Sequence, residues 1–118
     1  MRKLLCLSLL LISAHAKAEI FEIVVSKFKP GLKQSKEMEL AKSLNSFLKE
    51  QSGFNLREVY YDEAQKSYID IVVWSDEKSA KDAVTKAEKS PICQPVFSQI
   101  EQSGMIFLHA KKLLSFKK

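Results

Sequence analysis

The chain is poor in the residues that usually mark chemistry. Its 118 residues hold only two cysteines, two histidines, one tryptophan, three glycines and three prolines. Cys6 falls in an N-terminal apolar run, which leaves Cys93 alone in the remainder, so no intrachain disulfide framework supports the fold. Cys93 reads first as a small packed hydrophobe, and otherwise as a free thiol or an intermolecular partner. With one histidine and one cysteine beyond the leader, a tetrahedral zinc site would need mostly carboxylates, so no metal is expected. Gly31, Gly53 and Gly104 stand far apart, which excludes a glycine-rich phosphate loop. Neither a G-x-S-x-G elbow nor a Cys-His nucleophile motif occurs, which argues against a serine or cysteine hydrolase. No resident cofactor is expected. No apolar run reaches the roughly 20 residues of a bilayer-spanning helix, so no integral membrane segment is expected either.

What is present begins with a leader. Arg2 and Lys3 precede the apolar run Leu4 to Ile12, and small residues follow to Ala16, Lys17 and Ala18. That order is the one of a secretory signal peptide, with cleavage expected after Ala18 and, as second choice, after Ala16. Residues 1–18 are then the signal, residues 19–118 form one domain, and the expected location is periplasmic or secreted. The formal charge of +5 falls to +2 once Arg2, Lys3 and Lys17 are removed. Lys111, Lys112, Lys117 and Lys118 sit in the last eight residues, so the body has no basic excess to meet a phosphate backbone. Nucleic acid is not an expected partner.

The hydrophobic pattern predicts six main elements. Ile20 to Phe28 is a β-rich run halted by Pro30 and Gly31. From Gln34 to Gln51 the apolar residues Met38, Ala41, Leu44 and Leu48 recur at helical spacing, and Gly53 suits the left-handed C-terminal cap. Phe54 to Asp62 and Ser67 to Trp74 predict a hairpin. Asp76 is placed to cap a helix whose Ala80, Ala83, Val84 and Ala87 form a small-residue stripe. Pro91 and Pro95 end it, a short helical turn around Val96, Phe97 and Ile100 follows, and Gly104 releases the final strand, Met105 to Ala110.

Strand, helix, strand, strand, helix, strand is the α+β, ferredoxin-like split βαβ order (βαββαβ): a four-stranded antiparallel sheet with both helices on one face. In the third strand Ile69, Ile71 and Val73 are assigned to the helices, and Tyr68, Asp70, Val72 and Trp74 to the open face. Val24, Ser26 and Phe28 of the first strand and Met105, Phe107 and His109 of the last are expected beside them. Such an apolar open face demands a cover, and a homodimer joining two sheets face to face as a barrel is the expected one.

EIVVSKFKPG, GFNLREVYYDEAQKSYIDIVVWSDEKSAKDAV, SPICQPVF and GMIFLHA carry a resemblance across Glu19 to Ala110. With them the chain resembles the antibiotic biosynthesis monooxygenase (ABM) type of dimeric α+β barrel. That superfamily spans cofactor-free oxygenases, haem-degrading enzymes, dismutases and binding proteins, so the resemblance implies a fold rather than a reaction. Its haem-degrading branch uses an Asn, a Trp and a His where this chain has Val24, Ala87 and Phe97, so that activity is not expected.

His109 is the candidate base or polar anchor, with Asp70 as its orienting partner. A hydrogen-bonded histidine at a dimer seam, and for Asp70 a structural ion pair or hydrogen bond with the neighbouring strand, with Arg57, Tyr60 or Tyr68 as donor, are the plain alternatives. The face of the sheet that Arg57 and Glu58 take is left open. Tyr68, Trp74, Phe107, Val24 and Phe28 are the candidate walls of a ligand cavity, or simply core packing. The expected function is binding of a small apolar or aromatic molecule without turnover. A cofactor-independent monooxygenase-like activity on a small aromatic or quinol-like substrate is the alternative.

Overall fold

The computed structural model describes residues 18–118, so the leader expected over residues 1–18 lies, Ala18 apart, outside the described residues. The elements run β1 (Ile20–Phe28), α1 (Gln34–Ser43), α2 (Asn45–Leu48), β2 (Phe54–Asp62), β3 (Ser67–Trp74), α3 (Glu77–Ala87), α4 (Gln94–Phe97) and β4 (Ile100–Ala110). The strands form one sheet in the order β2-β3-β1-β4, every neighbouring pair antiparallel. This is the expected split βαβ arrangement.

Local chemistry sets most boundaries. Asp62 Oδ1 accepts from Gln65 N–H (3.1 Å) and closes the β2–β3 turn. Asp76 caps α3 by accepting from Ser79 N–H at 2.7 Å. Gly53 ends the α2 turn at φ +81°, and a Cβ there would lie 2.4 Å from Ser79 Oγ, so only glycine lets this loop pass under α3. Ala80 and Ala83 are buried where α3 approaches the sheet, as the small-residue stripe requires.

Two elements depart from expectation. The helix foreseen from Gln34 to Gln51 is split at Leu44, because the Ala41 carbonyl accepts from Leu44 N–H (3.4 Å) and also from Arg57 Nη1 (2.7 Å). A side chain inserted at a helical carbonyl interrupts the ladder there. The last strand begins at Ile100 rather than Met105. Its register with β1 shifts between Val25 and Lys27, and Gly104 sits in the irregular stretch at φ +77°.

The assignment of faces is corrected outright. Val72 and Trp74 join Ile20, Phe47, Leu48, Ala80, Ala83 and Cys93 in the core under the helices, and Tyr68 is buried as well. Val24, Phe28, Met105 and Phe107 share that inner side and line the cavity under the helices. Ile69, Ile71 and Val73, expected beneath the helices, belong to the outer row with Phe21, Ile23, Val25, Leu56, Tyr60, Ile106 and Leu108. The reason is physical: alternation separates two faces only when one of them is polar, and here both are apolar.

The outer face leaves Leu56, Tyr60, Ile106 and Leu108 each about half exposed, at 47–51 %. Among the described residues nothing covers this apolar sheet face, which is built from the opposite set of residues to those expected.

Candidate functional site

The inner sheet face and the helices enclose a cavity of about 500 Å³. Its floor is set by register. Arg57, Val72, Glu22 and His109 make one cross-strand row, Val59, Asp70, Val24 and Phe107 the next, and Tyr61, Tyr68 and Ser26 a third. Leu44, Phe47, Leu48, Val84, Ala87, Val96 and Phe97 supply the helical walls. A mostly apolar chamber with few polar groups is the usual form of a small-molecule site. Val24, Ala87 and Phe97 all lie on its lining.

Four ionisable side chains lie on two rows of the floor and separate into two pairs. Asp70 is held bidentately by Arg57, Oδ1 to Nε at 3.0 Å and Oδ2 to Nη2 at 2.6 Å. The guanidinium also donates to the Ala41 carbonyl and to Asn45 Oδ1 (2.8 Å), so it joins sheet to helix. Arg57 is thereby placed on the helix side and Glu58 on the outer side. Asp70 has the plain alternative role, an ion pair, and is not the partner of His109.

His109 Nε2 meets Glu22 Oε1 at 2.9 Å, with Phe107 against the imidazole at 5.1 Å between ring centres. Glu22 lies on the cavity wall, whereas His109 reaches the chamber only through it. Burial raises the Glu22 pKa above its ordinary value, opposed by the hydrogen bond and charge of His109 and reinforced by the Asp70 charge. Glu22 was not among the expected site residues. The available signal was a carboxylate inside a β-rich run at the parity of Val24, the same signal that singled out Asp70.

The aromatic candidates divide by role. Tyr68 donates its hydroxyl to Glu37 Oε1 (3.1 Å) and packs edge-on to Phe28, with ring centres 5.4 Å apart. Burial first, then the Glu37 contact, pushes its phenol up to about 12. Trp74 is 1 % exposed and lines the cavity, and its indole Nε1–H meets no protein acceptor among the described residues. A buried indole N–H normally finds a partner, so this donor, sealed from solvent, is left unmet in the core beside the chamber. Cys93 is a buried free thiol beside it in the core, with its pKa raised by burial.

Among the described residues no group of three or more potential metal ligands occurs, and no helix is long and apolar enough to cross a membrane.

Comparison with solved structures gives the fold its name. SnoaB from Streptomyces nogalater, a cofactor-independent oxygenase crystallised in a mutant form, superposes with a TM-score of 0.70 at 13 % identity, covering 86 % of this chain and 99 % of SnoaB. The fold is the ABM type. The ActVA-Orf6 monooxygenase of Streptomyces coelicolor, crystallised with nanaomycin D, follows at a TM-score of 0.67 and 12 % identity over 86 % of this chain and 93 % of that one. A conserved protein from Methanosarcina mazei has a TM-score of 0.64 and 20 % identity over 83 % of this chain and 96 % of its own. No family model matches the sequence, and no curated protein matches it. At these identities the ABM likeness describes architecture and assigns no reaction to this chain.

Proposed function

We propose that this ABM-fold chain is an exported homodimer that binds a small, flat, apolar or aromatic molecule in the cavity between sheet and helices. The observation that carries this reading is the mostly apolar chamber of about 500 Å³, with the rings of Trp74, Tyr68, Phe28 and Phe107 on its lining. An apolar wall favours a ring, and an acceptor such as a carbonyl oxygen on that ring would satisfy the Trp74 N–H where a small shift of the indole lets the two meet. The apolar outer face supports pairing with a second copy, and the residue order of the leader supports export.

Trp74 is the only tryptophan, so its indole gives one N–H resonance and an unambiguous reporter. Titrating ¹⁵N-labelled mature protein with 9-fluorenone, an aromatic ketone, should move that resonance saturably. Fluorene, which lacks the oxygen, should bind more weakly by about fivefold, the worth of one neutral hydrogen bond. An indole resonance indifferent to both compounds would remove the binding role.

A second reading is turnover as a cofactor-independent monooxygenase-like enzyme. Its support is the Glu22–His109 pair beside an apolar chamber, a group able to accept a proton from a bound ring. Oxygen uptake with a hydroquinone, above the rate without protein and lost in His109→Ala, is the expected result of that reading. Uptake unchanged by His109→Ala would remove it.

A further inference from the structure

The Glu22 carboxylate is built into the cavity with one oxygen engaged and one not. Oε1 faces His109 Nε2 at 2.9 Å, and no donor of the protein meets Oε2 among the described residues. The Glu22 side chain is 12 % exposed, and Trp74 Nε1, not Glu22 Oε2, is the fully buried unpartnered side-chain atom among the described residues, so Oε2 keeps contact with water. The remaining charged groups nearby are already committed or remote from it. Arg57 on β2 is spent on Asp70 of β3, and on α3 Glu77 pairs with Lys81 while Glu88 stands exposed at the helix end. A ligand that displaces water from that oxygen must replace the lost hydrogen bond with a donor of its own, because the protein supplies none beyond His109. Independently, Trp74 stands diagonally across the sheet from Glu22, because Glu22 pairs with Val72 and Ile20 with Trp74. The chamber floor thus carries a carboxylate oxygen that no protein donor meets, diagonal to the Trp74 ring.

We propose that Glu22 is a specificity-determining residue that selects ligands bearing a neutral O–H or N–H donor on the ring, with His109 as the positioning residue that holds its carboxylate. This rests on the cavity-binding reading above and deepens it. A neutral donor fits better than an ammonium, since Arg57 already occupies this floor and an added cation would be buried beside it. His109 acts from behind. Its hydrogen bond fixes the Glu22 rotamer and leaves Oε2 toward the ligand.

The test compares 2-naphthol with 2-methoxynaphthalene, which have the same ring and differ in whether the oxygen carries a proton. Affinities are read from the Trp74 indole resonance of the mature protein at neutral pH. The naphthol should bind about tenfold more tightly, as expected for a hydrogen bond to a charged group. Glu22→Gln should reduce that ratio to about threefold or less, and Glu22→Met to near unity. The ratio should also fade as pH drops and Glu22 takes up its proton. His109→Gln keeps a hydrogen-bonding group but removes the titrating one, so it should preserve the preference at neutral pH while moving the midpoint of its pH profile. A purely structural His109 would leave that midpoint unmoved and so overturn its positioning role. Equal affinity for the two compounds in the wild-type chain would overturn the Glu22 proposal while leaving the cavity intact, and so would a preference that survives both Glu22 variants. Failure of either naphthalene or of 9-fluorenone to move the resonance at all would instead sink the binding role on which the proposal stands.

Discussion

The two faces of the one sheet are both apolar and serve opposite ends. The inner face mixes Val24, Val72, Tyr68, Trp74 and Phe107 with Glu22, Asp70 and Arg57, and it meets helices across a chamber of about 500 Å³. The outer face is mostly aliphatic, with Ile23, Val25, Ile69, Ile71, Ile106 and Leu108 in register beside Phe21, Tyr60 and Glu58, and among the described residues the helices pack on the other side. An irregular, aromatic face with a few polar groups can shape a pocket. A flat, β-branched one suits a second sheet.

The sharpest way to break this comparison is to place the same charge on adjacent residues. Val72→Asp buries an unpaired carboxylate in the core and should cost about 3–5 kcal/mol, seen as a large drop in the denaturation midpoint. Ile71→Asp lies on the other side, so the fold should survive while sedimentation shows a shift from dimer to monomer. A normal fold and an unchanged mass for Ile71→Asp would refute the assembly proposed for the outer face. Next in size is Arg57→Met, which strands Asp70 on the inner face. It should destabilise by about 2–3 kcal/mol, less than for a fully buried pair because Asp70 keeps some exposure, and Arg57→Met/Asp70→Leu should recover most of the loss in chemical denaturation.

A smaller effect comes from Glu22. The folded chain holds that proton more tightly than an unfolded one, whose carboxyl titrates near 4.5. The resulting contribution favours the native state fully below pH 4.5 and is lost as pH rises through the higher folded value. Relative to Glu22→Gln, the wild-type chain should therefore lose stability as pH climbs from 4.5 toward neutrality, and denaturant titrations at a series of pH values test this. A parallel pH dependence in the two proteins would contradict the burial argument. The smallest effect concerns Cys93, whose thiol should resist a maleimide in the native chain and react promptly in denaturant, with no disulfide-linked dimer on a nonreducing gel.

Much of the fold is legible in the residues themselves. The Ile/Val-rich runs, the Pro30–Gly31 stop, the Asp76 cap and the alanine stripe of α3 all lie where local rules put them. The split at Leu44 is not legible, because Arg57 reaches the Ala41 carbonyl from another element. The early start of β4 was hidden by a helix-like spacing of Val96, Phe97 and Ile100. At the site, the aromatic and aliphatic candidates do share one chamber, but the partner of His109 is Glu22 rather than Asp70. Strand parity shows that two residues share a face, and only the register between strands shows which side chains touch.

By itself the sequence determined the kind and order of the main elements, since periodicity, caps and breakers act over a few residues. It also determined that the sheet would keep an oily side beyond its helices. Which side that is, and which carboxylate meets the histidine, was decided by tertiary structure alone. Both faces are apolar, so the choice rests on how α3 and the α1–α2 segment pack against aromatic and small residues far apart in the chain.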